Sequence, residues 1–229
     1  MDSMRLCAVA ALLALSGEAT AATLFENSAL NSSSQNCAFE CAEGLSAPDV
    51  TGAQSFALSG KSFVERLIVP YDRSGSGSLS FGTDNVDWEI RASSGGTPGA
   101  ILASGTIVLE AADIEAVTIA GNTDEEMALE IGSVMLDAGT YFATFDVNLA
   151  DMFAMFWSVS PTGTGTSFDS PDDGATWTPG YAGTISTPRG AMSLRVEGTS
   201  ADAAVPVPAP AILLLSGLAG LAWTGRRRT

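Results

Sequence analysis

Seven consecutive residues, Val86-Asp87-Trp88-Glu89-Ile90-Arg91-Ala92, alternate without a break between apolar and charged side chains. In an extended chain successive side chains point to opposite faces. Val86, Trp88, Ile90 and Ala92 therefore share one face, and Asp87, Glu89 and Arg91 share the other. A helix, turning about 100° per residue, would scatter the same apolar set around its circumference. The segment is committed to a half-buried strand, and a strand is stable only beside other strands. Met192-Ser193-Leu194-Arg195-Val196-Glu197 repeats the pattern near the other end of the body.

Four more runs have strand composition: Phe63 to Val69, Gly105 to Leu109, Tyr141 to Val147 and Phe153 to Val159. They are rich in branched and aromatic residues, which fit a pleated surface. Between them lie Ser74-Gly75-Ser76-Gly77-Ser78, Ser93-Ser94-Gly95-Gly96-Thr97-Pro98-Gly99 and Thr162-Gly163-Thr164-Gly165-Thr166, which read as loops. Asp124 to Leu136 is the single helix candidate, weakened by Gly132 and Val134. Many short strands with glycine-rich turns predict an all-β body, an antiparallel sandwich or jelly roll.

The two ends read differently. Arg5 precedes an apolar run from Leu6 to Leu15, and Ala19-Thr20-Ala21 fits an A-x-A cleavage site. Residues 1–21 are thus expected to be a signal helix, threaded by the Sec translocon and removed by signal peptidase. At the other end Val205-Pro206-Val207-Pro208-Ala209-Pro210 is held extended by its prolines. Ala211 to Gly225 follows with no charge, then Arg226-Arg227-Arg228. As a helix the apolar segment reaches about 22 Å, short of a hydrocarbon core of about 30 Å. Counted from Val207 it becomes a marginal transmembrane span, with the arginines as a cytoplasmic stop. The expected organisation is residues 1–21, an extracytoplasmic body at 22–204, and a tail at 205–229.

The order of proline motif, apolar helix and arginine cluster resembles the PEP-CTERM sorting signal, in the variant written VPLPA-CTERM, with Val207 where that variant usually has leucine. The resemblance implies an exosortase as partner. That membrane transpeptidase cuts near the proline motif, so the body is anchored transiently and then reaches the cell surface or the medium. The body is similar to the extracellular β-sandwich domains that commonly precede this signal. The residues that carry this likeness are Trp88-Glu89-Ile90, Gly95 to Ala103, Leu136-Asp137-Ala138-Gly139-Thr140-Tyr141, Asp172 to Trp177 and Leu194 to Gly198. This second likeness implies a fold and a location and carries over no catalytic residues.

Loss of both ends would sharpen the charge. Asp2 and Glu18 leave a total of 26 acids, and Arg5, Arg226, Arg227 and Arg228 leave 10 bases, so 24 acids face 6 bases and the net charge moves from −16 to −18. Such a surface repels nucleic acid and anionic lipid. Cys37 and Cys41 suit a small disulfide loop in an oxidising compartment; a metal site would need two further ligands.

The chain has no histidine, which excludes Ser-His-Asp and Cys-His nucleophiles and histidine-ligated zinc. Lys61, the single lysine, would have to reach a serine other than its strand neighbour Ser62. A glycosidase needs only two carboxylates across a cleft. Asp84, Asp87 and Glu89 form one candidate cluster, with a solvated strand face as the alternative. Asp169, Asp172 and Asp173 form another, and with Gly174 they are also candidate oxygen ligands for Ca2+; the alternative is a plain acidic turn. Trp157 lies in an apolar run and reads as core. Trp177 and Tyr181 sit among Thr, Pro and Gly and are candidates for a sugar-stacking platform. The expectation is an exported, non-catalytic surface or matrix protein in contact with exopolysaccharide. A carbohydrate-binding module is the second reading and a carboxylate hydrolase the third.

Overall fold

The computed structural model describes residues 21–27, 35–36, 51–74, 79–119, 122–149, 154–160, 164–179 and 191–201, all within the compact unit Ala21–Asp202. Ala19, Cys37, Cys41, Tyr181, Val205 to Pro210 and Arg226 to Arg228 lie outside the described residues, as do the expected signal and sorting helices.

The first seven strands are β1 (Ala22–Glu26), β2 (Gln35–Asn36), β3 (Thr51–Leu58), β4 (Ser62–Ser74), β5 (Asn85–Ser94), β6 (Thr97–Val108) and β7 (Ile114–Ile119). Then come β8 (Asn122–Leu136), β9 (Gly139–Asn148), β10 (Ala154–Ser160), β11 (Ser167–Ser170), β12 (Thr178–Pro179), β13 (Ala191–Met192) and β14 (Arg195–Ser200). Among the described residues there is no helix of seven residues or more, and none long and apolar enough to cross a membrane.

Among the described residues all strand pairings are antiparallel and form two sheets. The six-stranded sheet runs β12-β11-β3-β9-β5-β6. The eight-stranded sheet is organised by β4, whose length lets it pair β8 along one edge and both β14 and β10 along the other. Apolar side chains of both sheets meet in one cluster: Phe56, Val86, Trp88, Ile90 and Phe145 from one, Leu67, Val69, Met127, Leu129 and Trp157 from the other. Trp157 is core as expected, fully buried, edge-on to Phe145, with its indole N–H donating to Ser193 O at 2.6 Å.

The helix expected at Asp124 to Leu136 is instead most of strand β8. Glu125 to Glu130 are good helix formers singly, but Met127, Leu129 and Ile131 recur every second position and enter the core together. Pairing with β4 on one side and β7 on the other overrides local preference. Gly132, at φ +80°, lies in the stretch where the β4–β8 register shifts, so the residue that weakened the helix serves a strand irregularity. The loop expected at Ser93 to Gly99 narrows to Gly95-Gly96, both at positive φ, which turn β5 directly into β6. The strand expected at Met192 to Glu197 is interrupted at Ser193-Leu194, between β13 and β14.

Candidate functional site

The register of the six-stranded sheet sorts its side chains into two faces. Val86, Trp88 and Ile90 of β5 lie opposite Val147, Phe145 and Ala143 of β9 and face the core. Asp87, Glu89 and Arg91 lie opposite Asp146, Thr144 and Phe142 on the outer face. On that outer face Thr51, Asp87, Glu89, Thr144, Asp146 and Asp173 line a groove of about 120 Å³. That is smaller than the roughly 300–1,000 Å³ of a pocket that encloses a small molecule. It suits an edge of a ligand lying across the sheet.

The groove's carboxylates are held in place. Asp87 accepts hydrogen bonds from the Thr106 hydroxyl and from Asn148 Nδ2, the latter at 3.1 Å. Glu89 Oε2 accepts from Arg91 Nε at 2.6 Å and from the Thr144 hydroxyl at 3.2 Å. Arg91 also donates to Gly99 O at 3.2 Å, and its guanidinium lies 5.3 Å from the centre of the Trp177 ring.

One wall is built by the connection between β11 and β12. Asp173 and Gly174 both have positive φ, and Ala175 N donates to Asp172 O at 3.1 Å. This is the pattern of a type I′ turn, in which Asp-Gly is favoured. Ser170 Oγ accepts Gly174 N at 2.7 Å and donates to Asp172 Oδ1 at 2.8 Å. Asp172 accepts the backbone N–H of Thr176 at 2.8 Å and its hydroxyl at 2.7 Å. The Thr176 hydroxyl, then that of Ser170, hold the Asp172 carboxyl below its ordinary value. At the end of the turn Trp177 packs against Ala53, Phe142 and Phe168 on the outer face.

The two acidic clusters read from the sequence are thus each divided. Asp84 is buried, its carboxylate accepting Ser80 N at 2.7 Å, and serves the turn before β5. Asp87 and Glu89 enter the groove. Asp169 is buried on β11, Asp172 closes its own turn, and Asp173 reaches the groove. Among the described residues no three carboxylate or thiol side chains converge in a way that could hold a metal ion. Trp177 is half-buried beneath Arg91, so its ring is a plug for the loop. Lys61 pairs with Asp137 at 3.3 Å, and Ser62 Oγ donates to Gly60 O at 3.1 Å, so the two do not form a dyad.

Asp146, Thr144 and Thr51 line the groove without being candidates in the sequence. The alternation Phe142-x-Thr144-x-Asp146 inside an apolar run places these three on one face, and that was the signal available for two of them. Comparison with known proteins finds no matching family model, no matching curated protein and no matching solved structure.

Proposed function

We propose that this chain is an exported, non-catalytic protein of the cell surface or extracellular polysaccharide matrix, sorted by an exosortase. The observation that carries the reading is the order at the tail: Val205 to Pro210, the uncharged Ala211 to Gly225, then Arg226 to Arg228. The signal-like start ending in Ala19-Thr20-Ala21 supports it, as does a histidine-free, acidic body built of antiparallel sheets. The body is then a β-sandwich with its core between the two sheets. The test is the intact mass of the protein in its host, with and without the exosortase. A product ending between Val205 and Pro210 that depends on that enzyme supports the reading. A full-length product that keeps Arg226 to Arg228 in the membrane sinks it.

One observation favours carbohydrate binding as a second reading. Asp87, Glu89, Asp146 and Asp173 stand with Thr51 and Thr144 around one groove, a set of acceptors suited to sugar hydroxyls. The engagement of Glu89 with Arg91 and Thr144 favours binding over hydrolysis. Titration of host exopolysaccharide against the wild type and Asp87→Asn/Asp146→Asn tests it: equal affinities would remove the groove from consideration.

A further inference from the structure

We propose that β6 is a self-association edge, through which two copies of this chain pair to join their six-stranded sheets. The strand ends its sheet, so its outer row of backbone N–H and C=O groups has no strand partner among the described residues. Unpaired edges of this kind template the addition of another strand. Soluble proteins blunt such edges with charge, proline or bulges; β6 has no charge, and its Pro98 and the register shifts against β5 fall before Ala103, which leaves Ala103 to Val108 as a regular edge. Thr97 to Val108 contains no Asp, Glu, Lys or Arg in a chain of net charge −16. Ile101, Leu102 and Val108 are each about half exposed along it.

The other sheet margins are poorer candidates. The terminal strands β2, β12 and β13 have two residues each, while β1 carries Glu26 and β7 carries Glu115. Within this acidic molecule β6 is the one long described edge where two copies can meet without opposing carboxylates. The acidic row Asp87/Glu89 lies on β5, one strand back. In a pair joined through β6, the two rows stand three strand spacings apart, roughly 14 Å at about 4.8 Å each. That exceeds the screening length of about 8 Å at physiological salt. A charged partner would gain nothing from so neutral an edge, whereas a second copy presents the same neutral row. Antiparallel pairing of identical strands is also isologous, so it closes at two copies.

The test is sedimentation equilibrium of the full 229-residue chain in non-ionic detergent, with hydrogen exchange followed across Thr97 to Val108. The wild type is expected to dimerise with concentration, and the β6 amides to become protected as it does. Leu102→Lys and Val108→Lys each add positive charge to both copies of the edge and are expected to weaken dimerisation roughly tenfold or more. Val108 lies opposite Asn85 and is about half exposed, so the second variant tests the edge if the first perturbs folding. Met135→Lys, at an apolar residue 58% exposed on β8, is expected to leave the dimer intact. A wild type that stays monomeric overturns the proposal. So does association that survives both β6 substitutions, or that Met135→Lys abolishes equally.

Discussion

Asn27 and Leu194 are joined twice. The backbone N–H of Asn27 donates to Leu194 O at 3.1 Å, and Leu194 N donates to Asn27 Oδ1 at 2.7 Å. The amide of the same side chain donates to Met192 O at 2.9 Å and to Thr164 O at 3.2 Å. One buried asparagine thereby satisfies Leu194 in the gap between β13 and β14, whose other residue, Ser193, donates its N–H to Ser158 O of β10 at 2.9 Å. Asn27→Ala strands these groups away from water, and unfolding free energy is expected to fall by about 2–4 kcal/mol. Denaturant titration measures it; a loss within experimental error would mean that water reaches the gap.

Gly198 sits where the pairing of β14 with β4 changes register. A Cβ there would lie 1.9 Å from the carbonyl oxygen of Phe63, a backbone atom that cannot swing away. Gly198→Ala is expected to destabilise by about 3 kcal/mol or more, at the upper end for overpacking. Gly105 faces the ring of Trp88 with 3.1 Å for the same atom. That contact needs a shift of a few tenths of an ångström from a side chain, and Gly105→Ala is expected to lose about 1 kcal/mol. Equal melting temperatures for the two variants would refute this ranking.

The β5 alternation was legible because burial on one face of a strand is written directly as period two. The same period marks β8 through Met127, Leu129 and Ile131, but the helix-forming character of their neighbours masks it. What the sequence hides is contact between distant segments. Asp173 and Asp87 are 86 positions apart and meet only because the β11–β12 connection folds over the outer face. Likewise Trp177 reads as exposed among Thr, Pro and Gly, yet Phe142 and Phe168 await it on an outer face that a two-layer expectation leaves polar.

Arg91 couples the groove to that loop. Its guanidinium holds Glu89, reaches Gly99 O and lies against Trp177. Arg91→Ala and Trp177→Ala are therefore expected to be non-additive, with a coupling of about 1–2 kcal/mol for a cation–π pair in which Arg91 is buried and Trp177 half-buried. A double-mutant cycle by denaturant unfolding reads this. Strict additivity would mean that the contact of Arg91 with Trp177 contributes nothing to holding the loop.

Two carboxyls should give opposite pH signatures. Burial holds Glu126 above its ordinary value of 4.5, with Arg195 at 3.0 Å pulling the other way. The native chain then holds this proton more tightly than the unfolded chain. Stability falls as the pH rises through 4.5, and the loss is complete above the folded value. Asp172 is held below its ordinary value of 3.8 by Thr176 and then Ser170. Its contribution is complete above 3.8 and disappears as the pH falls through the folded value. Glu126→Gln removes the first dependence, so the melting temperature of the variant relative to wild type is expected to rise as the pH is raised through 4.5 and to level off above the folded value. Asp172→Asn removes the second, so that variant is expected to be less stable than wild type above 3.8 and to converge with it on acidification. Melting curves across this range decide both: a relative stability of Glu126→Gln that is flat with pH would show that Arg195 fully offsets burial at Glu126, and one that falls would show that Arg195 outweighs it.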